Sequence, residues 1–284
     1  MSADQAATDQ AKLWNGPAGQ AWIEAQEMMD GMFELFERML VEPIEADSGA
    51  RVLDIGCGTG STTLAAARRV GARGRAVGID ISEPMIAFAR DRASRAGSTA
   101  TFVCADAQTH SFEPASFDRF ISRFGVMFFG DPARAFANLR RAATEEAWLD
   151  LAVFRGPAEN SFMTAAERAA AAYLPDIPPR VPGAPGQFAF ADRQRVAHIL
   201  EQGGWARIEI DPVDVPCVFP AKELDRYMSR FGPVGLALQK ADEATKARVV
   251  AAVRAGFDPF VQGSDVRFTA ACWRVRARGA ARSV

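Results

Sequence analysis

A short apolar strand running into three glycines spaced two apart restricts this chain more than any other feature: Val52-Leu53-Asp54-Ile55-Gly56-Cys57-Gly58-Thr59-Gly60. A chain that leaves a buried strand and turns sharply into a helix needs unusual φ values, and a ligand touches backbone only where no Cβ intervenes. Helix signals follow at once. Ser61, Thr62 and Thr63 are expected to supply capping oxygens, Leu64 to Val70 holds no breaker, and Gly71 offers a left-handed stop. The turn therefore lies where a helix N-terminus presents free backbone N–H groups. An acid then stands at each of the next two predicted strand ends, Asp80 and Asp106. Three such strand ends in series are far more specific than a lone glycine loop.

From residue 50 to about 154, apolar runs alternate with helical segments. Strands are predicted at Arg51–Ile55, Arg75–Asp80, Thr101–Ala105, Phe117–Ser122 and Trp148–Phe154, with helices at Thr62–Val70, Glu83–Ala96 and Pro132–Ala142. Ser82 precedes the second helix, with Pro84 in its first turn, and Asp131-Pro132 opens the third in the preferred cap-then-proline order. Strict alternation predicts an α/β fold with a parallel sheet covered on both faces. Ligands of such sheets bind at the carboxyl ends of the strands, near the switch point, where the glycine turn, Asp80, Asp106 and Ser122 converge.

Composition narrows the function. The 284 residues are 49% hydrophobic, enough for one domain with an elaboration, and a net charge of −2 provides no basic field to gather nucleic acid or anionic membrane. Four cysteines lie scattered without a Cys-x-x-Cys pair, and the N-terminus lacks a charged-then-apolar signal pattern. No apolar run of about 18 residues is present. A cytoplasmic, reduced setting without a membrane span is the expectation. Cys57 and Cys104 read as small buried fillers, and no metal site is expected, because zinc would call for a closely spaced pair or a His partner.

A dinucleotide fingerprint wants its third glycine at position 61, where this chain has Ser61, and that weakens a nicotinamide reading. The sequence instead resembles the class I S-adenosylmethionine-dependent methyltransferases. Val52 to Gly60 looks like their first motif, Val77-Gly78-Ile79-Asp80-Ile81-Ser82 their second and Cys104-Ala105-Asp106-Ala107 their third, while Phe117-Asp118-Arg119-Phe120-Ile121-Ser122 fits the fourth strand. A narrower likeness, to bacterial small-molecule methyltransferases related to those of ubiquinone and menaquinone biosynthesis, rests on Trp14-Asn15-Gly16-Pro17-Ala18-Gly19, on Ser122 to Phe129 and on Phe188-Ala189-Phe190-Ala191-Asp192. The family's usual Pro-Gly-Gly turn before strand five is replaced by Ala143-Thr144-Glu145-Glu146-Ala147, which leaves that loop's conformation open.

The resemblance implies a Rossmann-like seven-stranded sheet in the order 3-2-1-4-5-7-6, its last strand antiparallel. It also implies S-adenosyl-L-methionine as cofactor. Asp80 would accept from both ribose hydroxyls, Ile81 would pack on adenine, and Asp106 would take the adenine amino group with the Ala107 N–H. Gly56, Gly58 and Gly60 would approach the methionine portion, Asp54 would organise the turn or attract the cationic end, and the Ser122 backbone would face the amino group.

Three regions are expected to cover the substrate. Residues 1–48 form an N-terminal helical segment with broad apolar stripes, from which Trp22 would close over the cofactor. The methyltransferase domain, 49–284, carries cap insertions at about 155–190, where five prolines between 175 and 185 exclude a continuous helix, and at 220–262, with helices Ala221–Phe231 and Asp242–Ala255 before a last strand Val266–Ala277. Phe124, Met127, Phe128 and Phe129 follow strand four, and Phe188, Phe190, Tyr227 and Phe231 belong to the cap, so the pocket should be apolar. Arg123, charged within an apolar run, needs a partner: a cofactor or substrate carboxylate, or a structural ion pair. His110, on a predicted loop, is the one residue weighed as a base, whereas His198 falls inside a helix Arg193–Gln202.

The expected function is methyl transfer to oxygen, nitrogen or carbon of a small, mostly apolar or aromatic acceptor. The partner is a small molecule, with no nucleic acid and no membrane, and a homodimer is left open. A non-catalytic cofactor-binding protein of the same fold, an NAD-dependent oxidoreductase and an aminopropyl transferase remain as alternatives.

Overall fold

Strand β1 (Arg51–Ile55) is buried from Val52 onward, as a central strand covered by helices on both faces must be. In the computed structural model, which describes residues 3–239 and 241–279, β1 pairs in parallel with β2 (Arg75–Asp80) on one side and β4 (Phe117–Arg123) on the other. That divergence is the switch point. Outward, β2 pairs in parallel with β3 (Thr101–Cys104) and β4 with β5 (Ala143–Phe154). Two long antiparallel pairings complete the sheet: β8 (Asp265–Gly279) beside β5, and β6 (Trp205–Pro220) outside β8. The two-residue β7 (Val261–Gln262) also pairs with β8. The order β3-β2-β1-β4-β5-β8-β6 is the expected seven-strand order with one short extra strand, and the last strand takes the antiparallel place.

Helices α5 (Ser61–Val70) and α6 (Glu83–Arg95) bury one face of the β1–β3 region around Ile86, Ala89 and Phe102. The opposite face packs on α7 (Pro132–Ala142) and α9 (Arg193–Gln202), with Phe120, Phe136, Leu139, Val196 and Trp205 in one continuous core. The N-terminal helices lie on the first face beside α5, where Arg274 of β8 reaches both Asp150 and the Met39 carbonyl. Those N-terminal helices are α1 (Ala3–Trp14), α2 (Pro17–Glu24), α3 (Gln26–Met32) and α4 (Glu34–Val41), and their apolar stripes bury Met29, Met32, Phe36 and Leu40 in that same core. Across the carboxyl edge lie α8 (Ala165–Ala170), a stretch at 171–192 with neither helix nor strand, and α10 (Leu224–Arg230), α11 (Gly232–Leu238) and α12 (Glu243–Phe257). No described helix is long and apolar enough to cross a membrane.

Four details differ from the sequence-based expectations. Gly60, left-handed at φ 87°, precedes α5, and no side chain caps that helix. The hydroxyls expected to cap it are turned to carboxylates instead, for Ser61 donates to Glu37 and Thr63 to Asp54. The segment 143–147 is no loop: α7 ends at Ala142 and β5 begins at once, with the small Ala143 and Ala147 buried and a register shift between Phe117 and Arg119 absorbing the junction. Strand β6 is not expected from the sequence, because Pro212, Pro216 and Pro220 speak against a strand. They share one parity, so their nitrogens all face one side; pairing with β8 is continuous from Glu209 to Pro220, so that side is the open edge. Helix α11 was likewise hidden by Gly232, Pro233 and Gly235, although Pro233 sits in the first turn, where proline is tolerated.

Candidate functional site

The glycine turn is built by contact between two loops. Gly56 has φ 65°, and a Cβ there would stand 2.6 Å from the Gly125 Cα that follows β4. Gly58, at φ 53°, would meet nothing nearer than the Met85 sulfur at 3.9 Å, so its face stays open to the cavity beside it. Its N–H donates to Asp80 Oδ2 at 2.8 Å, and the Ser82 N–H donates to Asp80 Oδ1 at 2.9 Å. Each carboxylate oxygen thus keeps a lone pair for another donor. Burial raises the Asp80 pKa, against the opposing pull of those backbone N–H groups. Gly60 is not on the cavity wall. A Cβ on it would lie 2.9 Å from the Phe102 ring, so it serves helix packing rather than the approach to a ligand expected of it.

Asp54 is 1% exposed and accepts from Thr63 Oγ1 at 2.6 Å; burial pushes its pKa up to about 7, with that hydrogen bond and Arg123 opposing. Asp106, on the same wall, accepts from the Gln108 N–H at 2.9 Å and from the Gln108 side-chain amide. Ile81 and Ala107 line the space between the two acids. Ser122 does not reach it. Fully buried, it donates to the Ile55 carbonyl at 2.7 Å and accepts from the Gly125 N–H at 3.2 Å, locking the end of β4 onto the end of β1. Arg123 realises the structural half of its two readings: it stands 3.6 Å from Asp30, which also pairs with Arg92 at 2.8 Å, yet it remains on the cavity wall.

The run Trp14-Asn15-Gly16-Pro17-Ala18-Gly19 docks the N-terminal helices on the turn after β2. Ser82 Oγ donates to the Trp14 carbonyl at 2.6 Å; the Asn15 side chain donates to the Ile81 carbonyl at 3.1 Å and accepts from the Glu83 N–H at 2.9 Å. Gly19 permits the approach, since a Cβ there would be 2.0 Å from the Trp14 carbonyl oxygen. This corner sets Gln10, Trp14 and Trp22 over the rim. Of these three, only Trp22 is expected at the cofactor from the sequence. The signal for the others was an asparagine whose amide can bridge a carbonyl and an N–H, directly after a tryptophan.

Two cavities adjoin. The first, about 120 Å³, holds the glycine turn, Asp80 and Asp106. The second, about 360 Å³, lies beneath the cap against Met127, Phe154, Phe162, Tyr227 and Phe231. They share Gln10, Trp14, Trp22, Phe124 and Phe128. Trp14 meets Phe128 edge-on at 5.0 Å and Trp22 meets Phe231 at 5.9 Å. Phe124 stands at the boundary with φ 68°, a costly conformation for a bulky residue, held by stacking on Phe154 at 4.4 Å. Phe188 is not on either wall: it packs behind Phe154 at 6.2 Å, beneath the Arg180 guanidinium, and so supports the pocket instead of lining it. Phe190 is buried against Phe136. His110 lines neither cavity, its ring being packed on Phe112 at 4.7 Å, which removes it as a base, and His198 sits on α9 away from both. Among the described residues, no group of His, Cys, Asp and Glu could hold a metal ion.

Residues 52–146 match the family described as a methyltransferase domain. Aklanonic acid methyltransferase DauC of a Streptomyces species is 41% identical over 102 residues, 36% of this chain and 46% of that protein. A ubiquinone/menaquinone biosynthesis C-methyltransferase, UbiE of a Marinomonas species, is 29% identical over 133 residues, 46% of this chain and 53% of that protein. The chain spans about half the length of the curated relatives it matches. Phosphoethanolamine N-methyltransferase 2 of Haemonchus contortus, solved in complex with S-adenosyl-L-methionine, superposes with a TM-score of 0.53 at 18% identity, covering 87% of this chain and 53% of that one, a likeness of fold.

Proposed function

Because this chain carries a methyltransferase domain at residues 52–146 within the fold of the S-adenosylmethionine-dependent methyltransferases, we propose that it transfers a methyl group from S-adenosylmethionine to oxygen, nitrogen or carbon of a small, mostly apolar or aromatic acceptor. One observation carries the reading: an acid-flanked cavity at the strand ends shares an aromatic wall with a larger apolar cavity. A methyl donor and an acceptor brought together at one point need both spaces. Relatives named for aklanonic acid and for ubiquinone/menaquinone biosynthesis support a small organic acceptor, and the −2 net charge supports it over nucleic acid.

The residues present fit the cofactor. Asp80 keeps lone pairs for two ribose hydroxyls, Ile81 offers an apolar surface to adenine, and Asp106 would accept from the adenine amino group while the Ala107 N–H donates to the neighbouring ring nitrogen. Gly58 leaves backbone open to the methionine portion, with Asp54 and Arg123 beside it. When bound, the sulfonium supplies an electrophilic methyl group. The protein then has to align the acceptor and exclude water, and such positioning contributes up to roughly 7–11 kcal/mol in favourable intramolecular systems. In this reading the N-terminal helices and the insertions at about 155–190 and 220–262 act as a cap that excludes water over the methyltransferase domain. Four free cysteines, three of them buried, support a reducing cytoplasmic setting.

Calorimetric titration with S-adenosylmethionine tests the reading. Asp80→Ala should weaken binding by about 1.5–3 kcal/mol, roughly tenfold or more. An unchanged isotherm removes the ribose assignment, and no binding to the native chain removes the function.

A further inference from the structure

Methyl transfer has to take place where the two cavities meet, and their common wall consists of Gln10, Trp14, Trp22, Phe124 and Phe128. None of these side chains takes up or releases a proton near neutral pH. The titratable groups elsewhere on the walls are committed. Asp80 accepts from Gly58 and Ser82 and Asp106 from Gln108; Asp54, whose pKa burial holds up at about 7, accepts from Thr63 and lines only the first cavity, not the common wall, while Arg123 faces Asp30. Burial pushes the Cys57 thiol far up. In the larger cavity Glu167 and Arg180 bind each other, Arg230 lies 3.5 Å from Glu24, and Tyr227, its phenol pushed up by burial, donates toward the Met163 sulfur.

One wall residue retains a donor. The Trp14 indole N–H donates to Gln10 Oε1 at 3.2 Å. An indole nitrogen can only donate, so it identifies which end of the Gln10 amide is oxygen, and Gln10 Nε2 is left without a hydrogen-bond partner among the described residues. A hydrogen-bond donor without a base suits holding an anion, not deprotonating a neutral group.

The geometry points to an acceptor that arrives already ionised: a flat apolar or aromatic molecule whose nucleophilic oxygen is a carboxylate or a strongly acidic enol or phenol, received at the junction by the Gln10 amide. This rests on the methyltransferase reading and narrows its substrate class. An anion alone would be costly against Phe124 and Phe128, but opposite a sulfonium it forms an ion pair in a low-dielectric site. The oxygen lone pair forms the bond to the methyl carbon, the carbon–sulfur pair returns to sulfur as a neutral thioether, and no proton is released. Both charges at the reacting centre vanish together, so the product loses the attraction that held the acceptor.

The test uses the full chain loaded with sinefungin, a non-reacting cationic analogue, and compares 1-naphthoate with the nearly isosteric neutral 1-naphthamide by tryptophan fluorescence. Naphthoate should bind tighter by about tenfold or more. The preference should shrink when uncharged S-adenosylhomocysteine replaces sinefungin, and should reverse in Gln10→Glu, where a carboxylate faces the anion. In turnover, methylation of 2-hydroxy-1,4-naphthoquinone should follow the quinone's own ionisation. Equal or tighter binding of naphthamide, failure of both probes to bind the loaded protein, or methylation of 1-naphthol near neutral pH with a rate that titrates with a protein group would each overturn the inference. Failure of sinefungin and S-adenosylmethionine themselves to bind would instead overturn the methyltransferase reading.

Discussion

Two glycines of the same turn carry unequal constraints. Gly56 and Gly58 both have positive φ, so alanine at either costs roughly 1–2 kcal/mol of backbone strain. At Gly56 the added methyl would also meet Gly125 Cα at 2.6 Å and force the β1 and β4 loops apart, whereas at Gly58 it meets only the Met85 sulfur, at an ordinary 3.9 Å. Gly56→Ala should therefore lose clearly more stability than Gly58→Ala in urea denaturation, and equal losses would show that the loop approach is not limiting. Asp54 predicts a pH dependence. Burial holds its folded pKa at about 7, against an unfolded value near 3.8, so across that interval the folded chain retains a proton that the unfolded chain releases. The associated stability is complete below about pH 4 and is lost as pH rises through about 7. Asp54→Asn should flatten this decline, because asparagine can still accept from Thr63; parallel pH profiles for the two proteins would refute the assignment.

Strand β6 shows how an element can contradict its own residues and still form. Pro212, Pro216 and Pro220 cost no ladder hydrogen bond, because each points its nitrogen at the open edge, and they deprive that edge of donors that could recruit another strand. Pro216→Val restores one N–H there and should raise self-association, read by light scattering at matched concentration; unchanged scattering would mean the edge is protected by something else. Helix and strand limits were legible where local chemistry and burial agree. β1, β2, α7 and α9 match the sequence reading residue for residue, with Asp131 accepting from one backbone N–H and Asp192 from two at the helix starts. They were not legible where a partner decides. Ser61 and Thr63 are good caps by type, and only the neighbouring Glu37 and Asp54 redirect them. Phe188 likewise has the composition of a pocket residue, and the arrangement of Arg180 and Phe154 around it places it one layer behind.

At the scale of the molecule, the N-terminal helices, the β4–β8 side of the sheet and the cap share one continuous core, running from Met29 through Phe120 and Phe162 to Val275. Such a body should unfold in one calorimetric transition. Saturation with S-adenosylmethionine at a hundredfold excess over Kd should stabilise it by about 2.7 kcal/mol and move the whole transition up by several degrees. A shift confined to part of the heat absorption would show that the cap unfolds separately.

By itself the sequence determined the alternating α/β order, the glycine turn and the acids at the ends of β2 and β3, because each depends on neighbours within a few positions along the chain. Only the tertiary structure decided which aromatic side chains reach the cavities, that Gln10 and Trp14 join them, and that His110 does not. Those outcomes follow from contacts between residues tens of positions apart, such as Asn15 with Ile81 and Phe124 with Phe33, and local periodicity contains no information about such pairings.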